Sequence, residues 1–332
     1  MDHAEHGTPA IDDHGWARTR TWVESQLPSG ERVVAAERLR GGWTSEMRRL
    51  HTGGPGGGRA LVLRSFVQPF FLEHADGLLT READILTLLG PGPVPAAELV
   101  AVDATGAHCD HPSLLMTLLP GTVRLDDAEA AERAELLAVQ LAAIHRTGVT
   151  DRQRPRVYQA WTAPERVRVP ELTTRPELWQ QAIDVLRQDP PPYTGRFLHR
   201  DYHPGNVLFT GTSTGTSTGT GTDAALRISG VVDWVETSWG PADLDVAHCS
   251  TALALLHGAP AGLRFPDHYR AAGGELAPSR EARRYWQLLD ALAFAPDAEK
   301  VAVPWRELGR TDLTPELLTA RLEAYLTGVL AG

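Results

Sequence analysis

Residues 197–208 read Phe197-Leu-His-Arg-Asp-Tyr-His-Pro-Gly-Asn-Val-Leu208, and the fold turns on this stretch. An apolar run leads in and Val207-Leu208-Phe209 leads out, so residues 199–205 are expected as a tight loop between two short strands. Such a loop carries Asp201 and Asn206 on one fixed piece of backbone. A carboxylate there can accept the proton of an attacking hydroxyl, and a carboxamide oxygen can ligate Mg²⁺. Downstream, Ile228-Ser-Gly-Val-Val-Asp233-Trp234 places a second carboxylate at the end of an apolar, β-branched run. Asp201, Asn206 and Asp233 thus supply one proton acceptor and two hard oxygen ligands, the set that phosphoryl transfer from a Mg²⁺-nucleotide requires.

His199 and His203 also stand in a His-x-x-x-His pattern beside Asp201, which raises the question of a transition-metal hydrolase. That spacing needs a helix, and Pro204-Gly205 works against one. His199 is expected instead to brace the loop, bonded to backbone or to an aspartate such as Asp245.

The segments His199-Arg-Asp201-Tyr-His203-Pro-Gly-Asn206 and Val232-Asp233-Trp234, followed by Gly240-Pro-Ala-Asp-Leu-Asp245, resemble those of the aminoglycoside phosphotransferase and choline kinase family. These are small-molecule relatives of the protein kinases, and the resemblance runs from about Arg38 onward. It implies an α+β, two-lobed protein-kinase-like fold with a small β-rich N-lobe and a larger helical C-lobe. It further implies Asp201 as the catalytic aspartate, Asn206 and Asp233 as magnesium ligands, and Asp245 as a brace of the catalytic loop. ATP or GTP would be the donor.

On this reading residues 1–29 are a tail and a short helix, 30–119 the N-lobe and 120–332 the C-lobe. Residues 32–39 look like a strand ending at Arg40-Gly41-Gly42-Trp43-Thr44-Ser45, where the glycines would let backbone N–H groups approach a phosphate. Ser45 stands where the family often carries asparagine. A glycine-rich hairpin loop at 51–59 enters the strand 60–66, which carries Arg64 where kinases place a phosphate-gripping lysine. Glu82, in a helix expected over 80–89 and ended by Gly90, is its natural partner. Arginine keeps the charge but presents a planar fork in place of an ammonium. Strands at 98–102 and 111–118 follow, joined by a turn at 103–106. In the family the second strand leads to the hinge, where backbone groups hold the adenine edge, here at Met116 and Leu118. Leu208, leaving the catalytic loop, is expected on the nucleotide side.

Beyond the hinge, helices are expected at 126–146 and 177–187. Leu318, Leu322, Tyr325 and Val329 form one helical stripe, with Thr314 as N-cap and Pro315 at the first position. Residues 210–222 are only Thr, Gly and Ser and are read as a loop lengthening a hairpin with strands at 207–209 and 226–232. Only six residues separate Asp233 from Gly240, and no Ala-Pro-Glu element follows, so a protein-kinase activation segment is missing. The acceptor is therefore expected to be a small molecule.

The 332-residue chain, 42% hydrophobic, is long enough for two lobes. Its net charge of −10 argues against nucleic acid as a partner and would attract a cationic acceptor, besides aiding solubility. Glu236, Asp267, Asp290, Asp297 and Glu299 are candidates for binding its ammonium groups, or else a solvated face. No apolar stretch is long enough to span a membrane, and Cys109 and Cys249 read as buried thiols, so a soluble, cytoplasmic monomer or homodimer is expected. An aminoglycoside or other antibiotic is the favoured acceptor. The alternatives are a choline-like alcohol, sugar, macrolide or biosynthetic intermediate, or a nucleotide-binding scaffold without catalysis.

Overall fold

The computed structural model describes residues 15–39, 45–90, 92–212 and 225–332. Gly41, Gly42, the N-terminal histidines and most of the Thr/Gly/Ser tract lie outside the described residues. The described residues fall into two compact units, one drawn from Met1–Pro91 and Ala96–Leu119, the other from Gly92–Pro95 and Pro120–Gly332.

The first unit contains helix α1 (Ala17–Ser25), strands β1 (Arg32–Arg38), β2 (Glu46–Gly53) and β3 (Ala60–Ser65), helices α2 (Pro69–Leu72) and α3 (Ala75–Leu89), and strands β4 (Leu99–Asp103) and β5 (Ser113–Thr117). The strands form one antiparallel sheet in the order β1-β2-β3-β5-β4. Leu50, Leu61, Leu63 and Leu115 meet Trp22 and Val23 of α1 in one apolar cluster, which is why α1 belongs to this unit. Helix α3 buries Leu79, Ala83 and Leu86, a stripe at helical spacing, and begins earlier than the pattern from residue 80 suggests.

The turn expected at 103–106 is present, closed by the Gly106 N–H donating to the Asp103 carbonyl at 3.3 Å, and the connection continues beyond it. The Asp103 carboxylate accepts N–H groups from Ala107, His108 and Cys109 at 3.0, 2.8 and 2.7 Å, and this gathers the chain into a loop before β5 starts at Ser113. Cys109 is fully buried there, and burial pushes its thiol up to about 12, leaving it inert.

The second unit carries helices α4 (Ala130–His145) and α5 (Pro176–Leu186), strands β6 (Gly195–Leu198), β7 (Val207–Thr210), β8 (Arg227–Val231) and β9 (Ser238–Pro241), and helices α6 (Ala242–His257), α7 (Ala259–Ala271), α8 (Arg280–Ala291), α9 (Glu299–Glu307) and α10 (Pro315–Ala331). Helix α6 is almost wholly buried and forms the spine on which α7, α8 and α10 pack. Thr314 caps α10 as its sequence indicates, its hydroxyl accepting the Leu317 N–H at 3.3 Å, and Leu318, Leu322, Tyr325 and Val329 face the core. Helix α4 starts four residues later than residue 126, because Glu129 takes a left-handed φ of 56° and the Arg133 guanidinium folds back onto the carbonyls of Asp126 and Ala128.

The two strands flanking the 199–205 loop do not pair with each other. Strand β6 pairs with β9, Phe197 opposite Trp239, while β7 pairs with β8, Val207 opposite Val231. Among the described residues no helix is long and apolar enough to cross a membrane.

Candidate active site

The loop after β6 is shaped from beneath by Asp245, a fully buried carboxylate on the first turn of α6. Its two oxygens accept the backbone N–H groups of His199 and Arg200, both at 2.8 Å, and one also meets His145 Nε2 at 3.1 Å. His145 is fixed in turn by the Tyr269 hydroxyl at 2.6 Å. Burial would raise the Asp245 carboxyl, but His145, His199 and Arg200 outweigh it and hold the group below its usual range. Arg200 stands at φ 76°, a left-handed conformation uncommon for a side chain of that size. That kink turns the next residue, Asp201, out of the core, where its side chain is 30% exposed.

The His199 imidazole is bonded through both of its ring nitrogens. Its Nε2 donates to the Val232 carbonyl at 3.0 Å, and its Nδ1 accepts the Asp201 N–H at 3.2 Å, so the ring ties the loop to the end of the β7–β8 hairpin. Burial pushes its imidazole down, toward the neutral form that this bonding pattern needs.

The Asn206 amide nitrogen donates to the Asp201 carbonyl at 2.9 Å and to Asp201 Oδ2 at 3.1 Å. With the nitrogen spent on Asp201, the carboxamide oxygen is turned to the other side. Asp233 follows Val232, whose N–H donates to the Asn206 carbonyl at 3.0 Å, and it adopts a left-handed φ of 67° before a short 3₁₀ turn. The hairpin thus sets Asp233 directly after the residue that is bonded to Asn206. Their carboxamide and carboxylate make an all-oxygen donor set, which suits a hard divalent cation such as Mg²⁺.

Around Asp201 the structure adds His248 and Asp290, which the motifs do not announce, to His203 and Arg200, which belong to them. His248 on α6 approaches Asp201 Oδ1 at 3.0 Å through Nε2, off the hydrogen-bond axis, and its Nδ1 lies 3.0 Å from Asp290 on α8. His203 Nε2 is 3.9 Å from the same Asp201 oxygen. Burial would raise the Asp201 carboxyl, but His248, then His203 and His199, hold it well below the usual carboxylate range. The Arg200 guanidinium lies 3.9 Å over the Trp161 ring and 3.9 Å from Asp290.

In the N-terminal unit the structure joins Arg64, Glu82 and Ser45. Arg64 Nη1 lies 3.0 Å from both Glu82 oxygens, and its Nε donates to the Ser45 hydroxyl at 3.1 Å, with all three residues buried. Ser45 thus orients the arginine. Met116 sits inside the ladder opposite Val62 and Leu99, and the Leu118 N–H is donated to the Ala60 carbonyl at 3.3 Å, so that N–H is already engaged. Leu208, in the C-terminal unit, pairs with Gly230 and is half-buried.

The acidic residues considered for an ammonium-bearing acceptor have partners within the chain. Glu236 pairs with Arg156 at 2.5 Å, Asp267 with Arg270 and Glu299 with Arg306, while Asp297 accepts the Glu299 N–H at 3.2 Å. Asp290 belongs to neither a solvated face nor a cation-binding wall, since it is 1% exposed beneath His248.

Among solved structures the chain is similar to a candidate aminoglycoside phosphotransferase from Ralstonia eutropha JMP134, with a TM-score of 0.60 and 16% identity over 95% of this chain and 98% of that one. It is also similar to a thermostable mutant of aminoglycoside phosphotransferase APH(4)-Ia in ternary complex with ADP and hygromycin B, with a TM-score of 0.58 and 17% identity over 93% and 98% of the two chains. The macrolide 2'-phosphotransferase MphH from Brachybacterium faecium follows at a TM-score of 0.51 and 16% identity over 91% and 97%. At these identities the likeness establishes the fold. Comparison with the curated proteins returns no match. Matched over residues 35–286 by the model of the phosphotransferase enzyme family, the chain belongs to that family and is a small-molecule kinase.

Proposed function

We propose that this kinase transfers the γ-phosphoryl group of ATP or GTP to a hydroxyl of a small molecule, with Asp201 as the proton acceptor. The observation that carries the reading is the fixing of Asp201 beside Asn206: its oxygen Oδ2 accepts the Asn206 amide at 3.1 Å, on a loop held by Asp245. ADP in the APH(4)-Ia ternary complex supports a nucleotide donor.

The Asp201 carboxylate orients the acceptor O–H. As the new O–P bond forms and the bond from the γ-phosphorus to the bridging oxygen breaks, the hydroxyl proton passes to Asp201 and the nucleoside diphosphate leaves with the bridging electron pair. In a loose transition state the hydroxyl gains little nucleophilicity from early deprotonation, so an ionised, well-aimed carboxylate matters more than a strong base. Asn206 and Asp233 would hold Mg²⁺, which when bound supplies charge compensation to the phosphates. In the N-terminal unit, Arg64, held by Glu82 and Ser45, is the residue proposed to bind nucleotide phosphate. His199 and Asp245 keep the loop in shape.

Hygromycin B in the APH(4)-Ia complex supports a hydroxyl-bearing natural product as acceptor. The carboxylates named above are engaged by partners of their own and lend no support to an ammonium-bearing one. A kinase assay with ATP and GTP against a panel of hydroxylated antibiotics, sugars and amino alcohols tests the reading. Asp201→Asn should lower turnover about 10²–10⁴-fold while nucleotide binding persists. Wild-type turnover in that variant would overturn it.

A further inference from the structure

His248 and Asp290 lie outside every motif used above, yet both are buried within contact of Asp201 or of each other. The inference drawn from them rests on the reading of Asp201 as proton acceptor. We propose that His248 is a positioning residue for the transfer step, an imidazolium set between Asp201 and Asp290 that holds the Asp201 carboxylate in the rotamer from which it meets the acceptor hydroxyl.

The charge state follows from the ring's surroundings. His248 Nδ1 faces Asp290 Oδ1 and Nε2 faces Asp201 Oδ1, both at 3.0 Å. At Nδ1 a bare imidazole nitrogen would set lone pair against lone pair, so that nitrogen carries its hydrogen, while Nε2, off the hydrogen-bond axis, meets the ionised Asp201 by charge, and a ring between two carboxylates favours its charged form. The ring is 2% exposed at its side chain and cannot rotate away, being stacked on Phe294 and abutted edge-on by Trp161 and His203. Burial alone would push this imidazole down. Asp290 and Asp201 reverse that and raise it to about 9. The charged and titratable groups facing it are Asp201 and His203 from the loop and Asp290 from α8, with Arg200 reaching Asp290 at 3.9 Å.

Asp201 is thereby held from both sides, Oδ1 by the charge of His248 at 3.0 Å and Oδ2 by the Asn206 N–H. Asp290 does for His248 what a carboxylate does behind a metal-bound histidine, fixing the ring plane through the remote nitrogen.

Asp201, His203 and His248 also place one potential ligand atom each within 4.8 Å of the others, so a transition-metal site is the competing explanation. The hydrogen bonding argues against it. His203 Nδ1 accepts the Gly205 N–H at 3.0 Å, which leaves the ring hydrogen on Nε2, the atom nearest Asp201. To ligate through Nε2 the ring would have to move its hydrogen to Nδ1 and give up the Gly205 bond. Burial holds His203 down at about 4, so at neutral pH it is the uncharged tautomer and does not compete with His248 for the role of cation.

The test compares the full-length wild type with His248→Ala, His248→Gln and Asp290→Asn, after circular dichroism and thermal melts establish folding. His248→Ala should lower kcat about 10²-fold with the nucleotide KM unchanged, the size of loss that misaiming a reacting group produces. Glutamine places an amide N–H near the Nε2 position and should recover part of that loss. The wild-type kcat should fall as pH rises through about 9, and His248→Gln should lack that limb. Folded His248→Ala and Asp290→Asn with wild-type kcat and an unaltered alkaline limb would overturn the proposal; if His248→Ala does not fold, His248→Gln and Asp290→Asn decide it by the same readouts. Tight zinc binding at one equivalent, lost in His203→Ala, would also overturn it. Asp201→Asn separates the two readings: if that variant keeps full turnover the acceptor role of Asp201 itself falls, whereas an inactive Asp201→Asn beside a normal His248→Ala sinks only the positioning role.

Discussion

Asp245 Oδ1 accepts the backbone N–H of Arg200 at 2.8 Å while Arg200 is held at φ 76°. A left-handed backbone costs an L-residue about 1–2 kcal/mol, so something must hold it there. One carboxylate does so, binding two consecutive N–H groups and receiving His145 besides. Asp245→Ala would leave these donors buried without an acceptor. It should lower unfolding stability by about 3–5 kcal/mol, read as a lower urea midpoint, and lower activity in whatever folded fraction remains. A loss under about 1 kcal/mol would show that the loop holds its shape without this brace.

The Arg64–Glu82 pair poses a similar question in the N-terminal unit, because both partners are buried, with the side chains 5% and 1% exposed. Glu82→Ala strands a buried guanidinium and should cost about 3–5 kcal/mol. Arg64→Lys keeps the charge but gives up the planar fork that serves Glu82 and Ser45 together, and should cost about 1–2 kcal/mol. The ordering of the two midpoints in urea is the check. Equal losses would mean that the fork has no special part.

Thr314→Ala removes the hydroxyl that accepts the Leu317 N–H, at an exposed N-cap. The cost should be about 1 kcal/mol, seen as a lower melting temperature. The helix begins at Pro315, whose fixed φ favours the first turn independently, so folding should remain cooperative. Loss of the cooperative transition would show that the cap does more than close one turn.

His248 also sets a pH window for stability. Its ordinary value is 6.5 and its folded value is raised to about 9, so folding favours the protonated ring. The resulting stability is complete below 6.5 and lost as pH rises toward and through about 9. Melting temperatures measured from pH 6 to 10 should decline over that span in the wild type and less in His248→Gln. A flat wild-type profile would contradict the assigned charge state.

Much of this molecule is legible without coordinates. Asp201, Asn206 and Asp233 stand out because loop chemistry is local: Pro204-Gly205 breaks the chain, apolar runs flank it, and the carboxylates sit at the ends of those runs. The α10 stripe and its Thr314 cap are legible for the same reason, since helical spacing and capping act within a turn or two. Arg64 and Glu82 were pairable by their places on a strand and the following helix.

The partners that reach Asp201 and Asp245 from other helices could not be read in this way. His145 lies 100 residues from Asp245 in the chain, and Asp290 lies 42 from His248. Nothing in the period of α4, α6 or α8 marks which residue on each helix turns toward the loop, because that depends on how three helices pack around one another. Asp290 looks like any acidic residue of an amphipathic helix until its burial is known. The chain by itself determined which oxygen atoms stand on the loop, because turn geometry is a property of neighbours. Tertiary packing decided their charge and aim, because a carboxylate's ionisation and rotamer are set by whatever the fold buries within about 4 Å of it.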